Sequence, residues 1–168
     1  SDGEVFGMAL SSDAIITRFA NDDSPDEIGV KFTAPFTAKL HKATTYNTIG
    51  SFDGTAEIVV YDASDNVLAT WSLTDADCVK YANGVTLHSV DGIDLTGGED
   101  YRITVKPTSA TNCGVLRYRF ESAAAKAFMP WSSRFSVTER TDGGAWTDTA
   151  NDMIECSLEL AVDFDSLG

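Results

Sequence analysis

Basic residues, histidine, cysteine and proline are all scarce in this chain of 168 residues: 12 Lys plus Arg stand against 26 Asp plus Glu, with 2 His, 3 Cys and 4 Pro. The formal charge of −14 creates a field that repels phosphates and anionic headgroups, so neither nucleic acid nor a membrane surface is an expected partner. No apolar run approaches the roughly 18 to 20 residues of a spanning helix. The first ten residues lack the basic-then-apolar pattern of a secretory leader. Cys78, Cys113 and Cys156 lie far apart with no C-x-x-C spacing. That spacing suggests neither a zinc knuckle nor a full disulfide framework and predicts reduced, partly buried thiols folded in a reducing cytoplasm, with one disulfide and a leftover thiol as the alternative.

Chemistry is equally thin. Neither His41 nor His88 sits in a G-x-S-x-G elbow or an H-E-x-x-H pair, so no nucleophile has a recognisable base and no enzyme is expected. A pair of carboxylates at glycosidase spacing carries no information, because 26 acids always furnish one in a folded chain.

What is abundant is period-two alternation. With 43% hydrophobic and 10% aromatic residues, the chain is apolar enough to fold, and its length suits one domain. Ile154, Cys156, Leu158, Leu160 and Val162 share one parity. So do Ile28, Val30 and Phe32, then Tyr101, Ile103 and Val105, then Leu116, Tyr118 and Phe120. Each predicts an antiparallel strand with one buried and one wet face. The wet faces would carry Lys31, Arg102, Thr104, Arg117 and Arg119.

Turn signals separate these runs: Asp53-Gly54, Asp62 to Asn66, Asn83-Gly84, Asp91-Gly92, Gly97-Gly98 and Asp142-Gly143-Gly144. Residues 57–61 and 67–73 read as one hairpin, and 78–82 and 85–90 as another. Only Ser122 to Met129, closed by Pro130, looks helical. The expected fold is all-β: an antiparallel two-sheet β-sandwich, jelly-roll-like, with one short helix. Residues 25–168 would form the sandwich, and residues 1–24 an N-terminal segment or arm, itself able to join the sandwich or pair with a neighbouring chain.

Two groups of residues invite a ligand. Asp22, Asp23 and Asp26 form one acidic cluster, and Asp142, Asp148 and Asp152 another. No D-x-[DN]-x-[DN]-G loop is present, so solvated charge is the plainer reading, no cofactor is expected, and Ca2+ on the first cluster is the alternative. Trp71 has core parity, whereas Trp146 and Trp131 stand outside any alternating run. Trp146 is the better sugar platform and Trp131 the second, with Arg117 and Arg119 as wet-face donors. The competing expectation is a Trp146 folded back as a structural cap.

The segments Ile28 to Phe36, Ala56 to Asp62, Tyr101 to Pro107 and Thr138 to Asp148 resemble accessory jelly-roll domains of bacteriophage virion proteins, such as head decorations and fibre domains, and domains of carbohydrate-binding modules in secreted bacterial proteins. The resemblance spans residues 28–163 and rests on strand-and-turn patterns. It implies a non-enzymatic structural protein of the virion surface that assembles with other virion proteins and with its own copies. The alternative it implies is an extracellular, calcium-stabilised glycan-binding module.

Overall fold

The computed structural model describes residues 13–45, 54–74, 85–109, 113–120, 134–154 and 156–162. The predicted helix at 122–129, Trp131, Cys78 and the turn Asn83-Gly84 lie outside the described residues, as does the first half of the N-terminal segment, residues 1–12. The chain is all-β. Its strands are β1 (Asp13–Phe19), β2 (Glu27–Thr33), β3 (Ala38–Thr45), β4 (Thr55–Tyr61), β5 (Val67–Thr74), β6 (Val85–Leu95), β7 (Asp100–Pro107), β8 (Cys113–Arg119), β9 (Phe135–Arg140), β10 (Thr147–Thr149), β11 (Asp152–Ile154) and β12 (Cys156–Ala161).

They form a six-stranded sheet, β10-β9-β2-β7-β4-β5, and two three-stranded sheets, β1-β8-β11 and β12-β3-β6. Every pairing is antiparallel. Because β11 and β12 are separated by a single residue, consecutive strands tie the two smaller sheets together. The sheets pack as a β-sandwich whose core joins Ile28, Val30, Ile58, Val60, Ile103 and Val137 of the large sheet to Leu40, Leu95, Val115 and Ile154 of the smaller ones.

Several predicted parities hold. Ile28, Val30 and Phe32 are buried, as are Tyr101, Ile103 and Val105, and Cys156, Leu158 and Leu160 pack against the core. Trp71 also packs against it. The hairpin through 62–66 forms, fixed by the Asp62 carboxylate, which accepts the N–H groups of Ser64 and Asn66.

Two expectations fail for identifiable reasons. Asp91-Gly92 does not reverse the chain. The register runs from Lys42↔His88 to Leu40↔Ile93, so residues 89–92 bulge out of a continuous β6 opposite His41 alone. In β8 the expected face assignment fails at Arg117, which is 7% exposed and follows Cys113 and Val115 on the buried parity, whereas Arg119 is 53% exposed in its side chain and Phe120 is buried, as expected.

Candidate functional site

Cross-strand register builds the main polar cluster, on the face of the six-stranded sheet opposite the core. Glu27 stands opposite Arg140, Tyr61 opposite Arg102, and Gly29 between Thr104 and Thr138. Sequence reasoning left this face to water, yet Glu27 is 1% exposed, Thr104 1% and Thr138 0%. The Glu27 carboxylate is satisfied from three sides: by the Tyr61 hydroxyl at 2.7 Å, the Thr104 hydroxyl at 2.6 Å and Arg140 Nε at 2.7 Å. A charge this deeply buried is tolerated only when paired and fully hydrogen-bonded.

Trp146 provides the cover. It leaves the β9–β10 loop, beyond one flank of β2 and β7, and its indole N–H donates to Asp65 at 2.7 Å in the β4–β5 turn on the other. Under it lies Arg140, whose guanidinium carbon sits 4.0 Å from the Trp146 ring centre and 4.9 Å from that of Tyr61. Arg102 lies 4.9 Å from the same indole, and Tyr61 meets it edge-on at 5.6 Å. Cation–π contacts of this kind are worth about 0.5 to 2 kcal/mol each. The Trp146 ring is therefore engaged by two guanidiniums and a phenol of its own chain, and the structural-cap expectation describes it, with the polar face rather than the apolar core beneath it.

Ionisation follows the geometry. Burial, reinforced by the hydrogen bond to Glu27, raises the Tyr61 phenol far above its ordinary range. Burial opposes the charge of Asp148, but the Thr138 hydroxyl, Lys31 and Arg102 outweigh it and hold the carboxyl below its usual range. Asp100 is lowered chiefly by the Thr33 hydroxyl, with help from Lys31.

Arg117 and Arg119 belong to a second cluster, between the sheets. Arg117 Nε and Arg119 Nη2 both bind Asp152, which is 0% exposed, and Arg117 Nη1 reaches Glu139 of β9 at 3.1 Å. Burial works against the Asp152 charge, yet hydrogen bonds from Arg119 and Arg117 keep its carboxyl low. Arg117 thus links β8 to β9 of the large sheet and is buried rather than on a wet face, whereas Arg119 pairs with Asp152 within its own sheet and is 53% exposed in its side chain.

The structure does not bring the predicted acidic clusters together. Asp22 and Asp23 are exposed on the 20–26 loop, while the Asp26 carboxylate accepts the Asp142 N–H at 3.1 Å. Asp148 faces the outer network and Asp152 the inner one. Among the described residues no three His, Cys, Asp or Glu side chains converge as a cation would require. Cys113 and Cys156 form no disulfide, and burial pushes the Cys156 thiol up to about 12. No family model matches the chain, and no curated protein matches it.

The residues that sequence reasoning missed are Glu27, Tyr61, Arg102 and Arg140. The opposite charges of Glu27 and Arg140 at facing register positions were the available signal, but finding it requires the strand order.

Proposed function

We propose that this chain is a non-enzymatic structural protein of the virion-surface type, a decoration or fibre-like sandwich that acts through contacts with other structural proteins and with further copies of itself. The observation that carries this reading is how its side chains are spent. The aromatic and charged groups that would serve a ligand, Trp146, Arg102, Arg140, Arg117 and Asp152, are committed to one another. Large apolar side chains stand at the surface instead: Val90 is 93% exposed, Val67 58%, Phe36 45% and Leu68 39%. Singly such residues are ordinary; on strands and turns of a sandwich they are ready contact points for another protein. Cysteines without a disulfide fit folding in the reducing cytoplasm of a host before assembly.

Gradient centrifugation of native material, with mass spectrometry of each fraction, tests the proposal. Co-sedimentation with a megadalton particle at fixed stoichiometry is the expected result. A chain found only as a free monomer or small oligomer would overturn it and favour the glycan-binding alternative.

A further inference from the structure

Residues 89–92 leave the β3–β6 ladder as a bulge, since pairing passes from Lys42↔His88 directly to Leu40↔Ile93. Within it Asp91 is exposed, and no hydrogen bond or ion pair engages its side chain among the described residues. Gly92 follows at φ +72°. There is no room for a side chain on it, because a Cβ would lie 2.8 Å from Lys39 Cβ; the atoms next nearest to that position are Cε1 and Nε2 of His41, at 3.1 and 3.3 Å. The His41 ring is oriented by its other nitrogen, for Nδ1 lies 3.1 Å from the Ser89 carbonyl. A carbonyl can only accept, so Nδ1 carries the proton, and Nε2 of the neutral ring keeps its lone pair at the edge nearest Gly92.

We propose that Asp91-Gly92 is a self-modifying backbone site, converted slowly to an isoaspartyl linkage with His41 as the base. The Gly92 amide nitrogen attacks Cγ of the protonated Asp91 carboxyl and a Cγ–N bond forms. The amide proton passes to His41 Nε2 and on to the departing hydroxyl, which leaves as water. A five-membered succinimide results. Water then adds at the main-chain carbonyl of Asp91 and breaks its bond to the Gly92 nitrogen, so that the chain runs on through Cγ. One water leaves and one returns, nothing is oxidised or reduced, and the main chain gains a methylene at unchanged mass. Glycine permits the closure because it places no Cβ beside the attacking nitrogen. The bulge can take up the added methylene, since the register between Leu40 and Lys42 is already broken there. Asp142-Gly143 is the internal comparison. Asp142 is also exposed and Gly143 stands at φ +65°, but nothing lies within 4 Å of a Cβ position on Gly143, so no imidazole flanks it as His41 flanks Gly92.

The test is to age the purified chain for weeks at neutral pH, folded and in urea, and to locate isoaspartate by electron-transfer fragmentation of its tryptic peptides, which separates position 91 from Asn83-Gly84 on the same peptide. The folded wild type should accumulate isoaspartate at 91 at least about tenfold faster than at 142, within what a positioned base supplies. In urea, where His41 no longer lies beside Gly92, the two rates should converge. His41→Gln, whose amide still donates to the Ser89 carbonyl, should lower the folded rate at 91 to that at 142. Asp91→Glu, whose longer side chain cannot close the five-membered ring, should abolish the signal at 91 with an unchanged melting temperature. Equal rates at the two positions in the folded wild type, or a rate at 91 that His41→Gln leaves unchanged, overturns the proposal. Where His41→Gln fails to fold, the wild type decides alone: a ratio of the two rates that is the same folded and in urea overturns it.

Discussion

Glu27 holds its charge in an enclosed place because three donors converge on it, and each comes from a different strand: Tyr61 from β4, Thr104 from β7 and Arg140 from β9. Removing the carboxylate leaves the Arg140 guanidinium partly buried without its counter-charge. Glu27→Ala should therefore cost about 3 kcal/mol, the scale for breaking a buried pair from one side, read as a lowered urea midpoint. Tyr61 adds a pH dependence. Its folded pKa lies above the ordinary value of 10.0, so its contribution is present in full below pH about 10 and is lost as pH climbs beyond it. Melting temperature should fall above pH about 10, and Tyr61→Phe should flatten that fall. At this scale the sequence was partly legible. Trp146 stood out because it lies off every alternating run, but what its ring covers depends on Arg140 and Arg102, residues brought beneath it only by strand order.

The β9–β10 hairpin and the β4–β5 hairpin are the elements that close the outer face, with Trp146 from one meeting Asp65 from the other. Between them β2 must approach β7 closely at Gly29, where an added Cβ would lie 2.1 Å from the Ile103 carbonyl oxygen and 2.5 Å from Thr104 Cα. Those neighbours are backbone and cannot swing aside. Gly29→Ala should separate β2 from β7, cost about 2 kcal/mol on the scale of overpacking, and speed amide exchange along both strands. Alternation made the strands readable wherever one face is wholly apolar, as in Ile28 to Phe32 and Tyr101 to Val105. It misled in β8 at Arg117, which was expected on the wet face, while Phe120 is buried as expected. Two residues earlier Cys113 and Val115 claim the core face, and Arg117 follows on the same parity because Asp152 and Glu139 supply the charge it needs there. In β6 the Asp91-Gly92 dipeptide has the chemistry of a reversal, but pairing with β3 resumes on both sides of it and converts it to a bulge.

As a whole the molecule is two β layers joined by an apolar core and fastened by the Arg117, Arg119, Asp152 and Glu139 cluster at its edge. Asp152, Asp148 and Asp100 all have lowered pKa values. Their stabilisation is present above the ordinary carboxyl value of 3.8 and is lost as pH falls below it. Thermal stability should decline below pH about 4, and Asp152→Asn, which leaves two arginines facing an uncharged side chain, should cost about 3 kcal/mol at neutral pH. The all-β sandwich was legible from turns and alternation alone. The closure of its polar face was not, because nothing local in a sequence distinguishes a charged face open to water from one roofed by a tryptophan. The central claim is that the groups resembling a ligand site are instead spent holding the sandwich together. Equilibrium urea unfolding of the wild type and Trp146→Ala tests it most directly. Loss of the indole's hydrogen bond and its two guanidinium contacts predicts about 2 kcal/mol of destabilisation. An unchanged unfolding free energy would mean that Trp146 is free for a ligand, and would contradict the account.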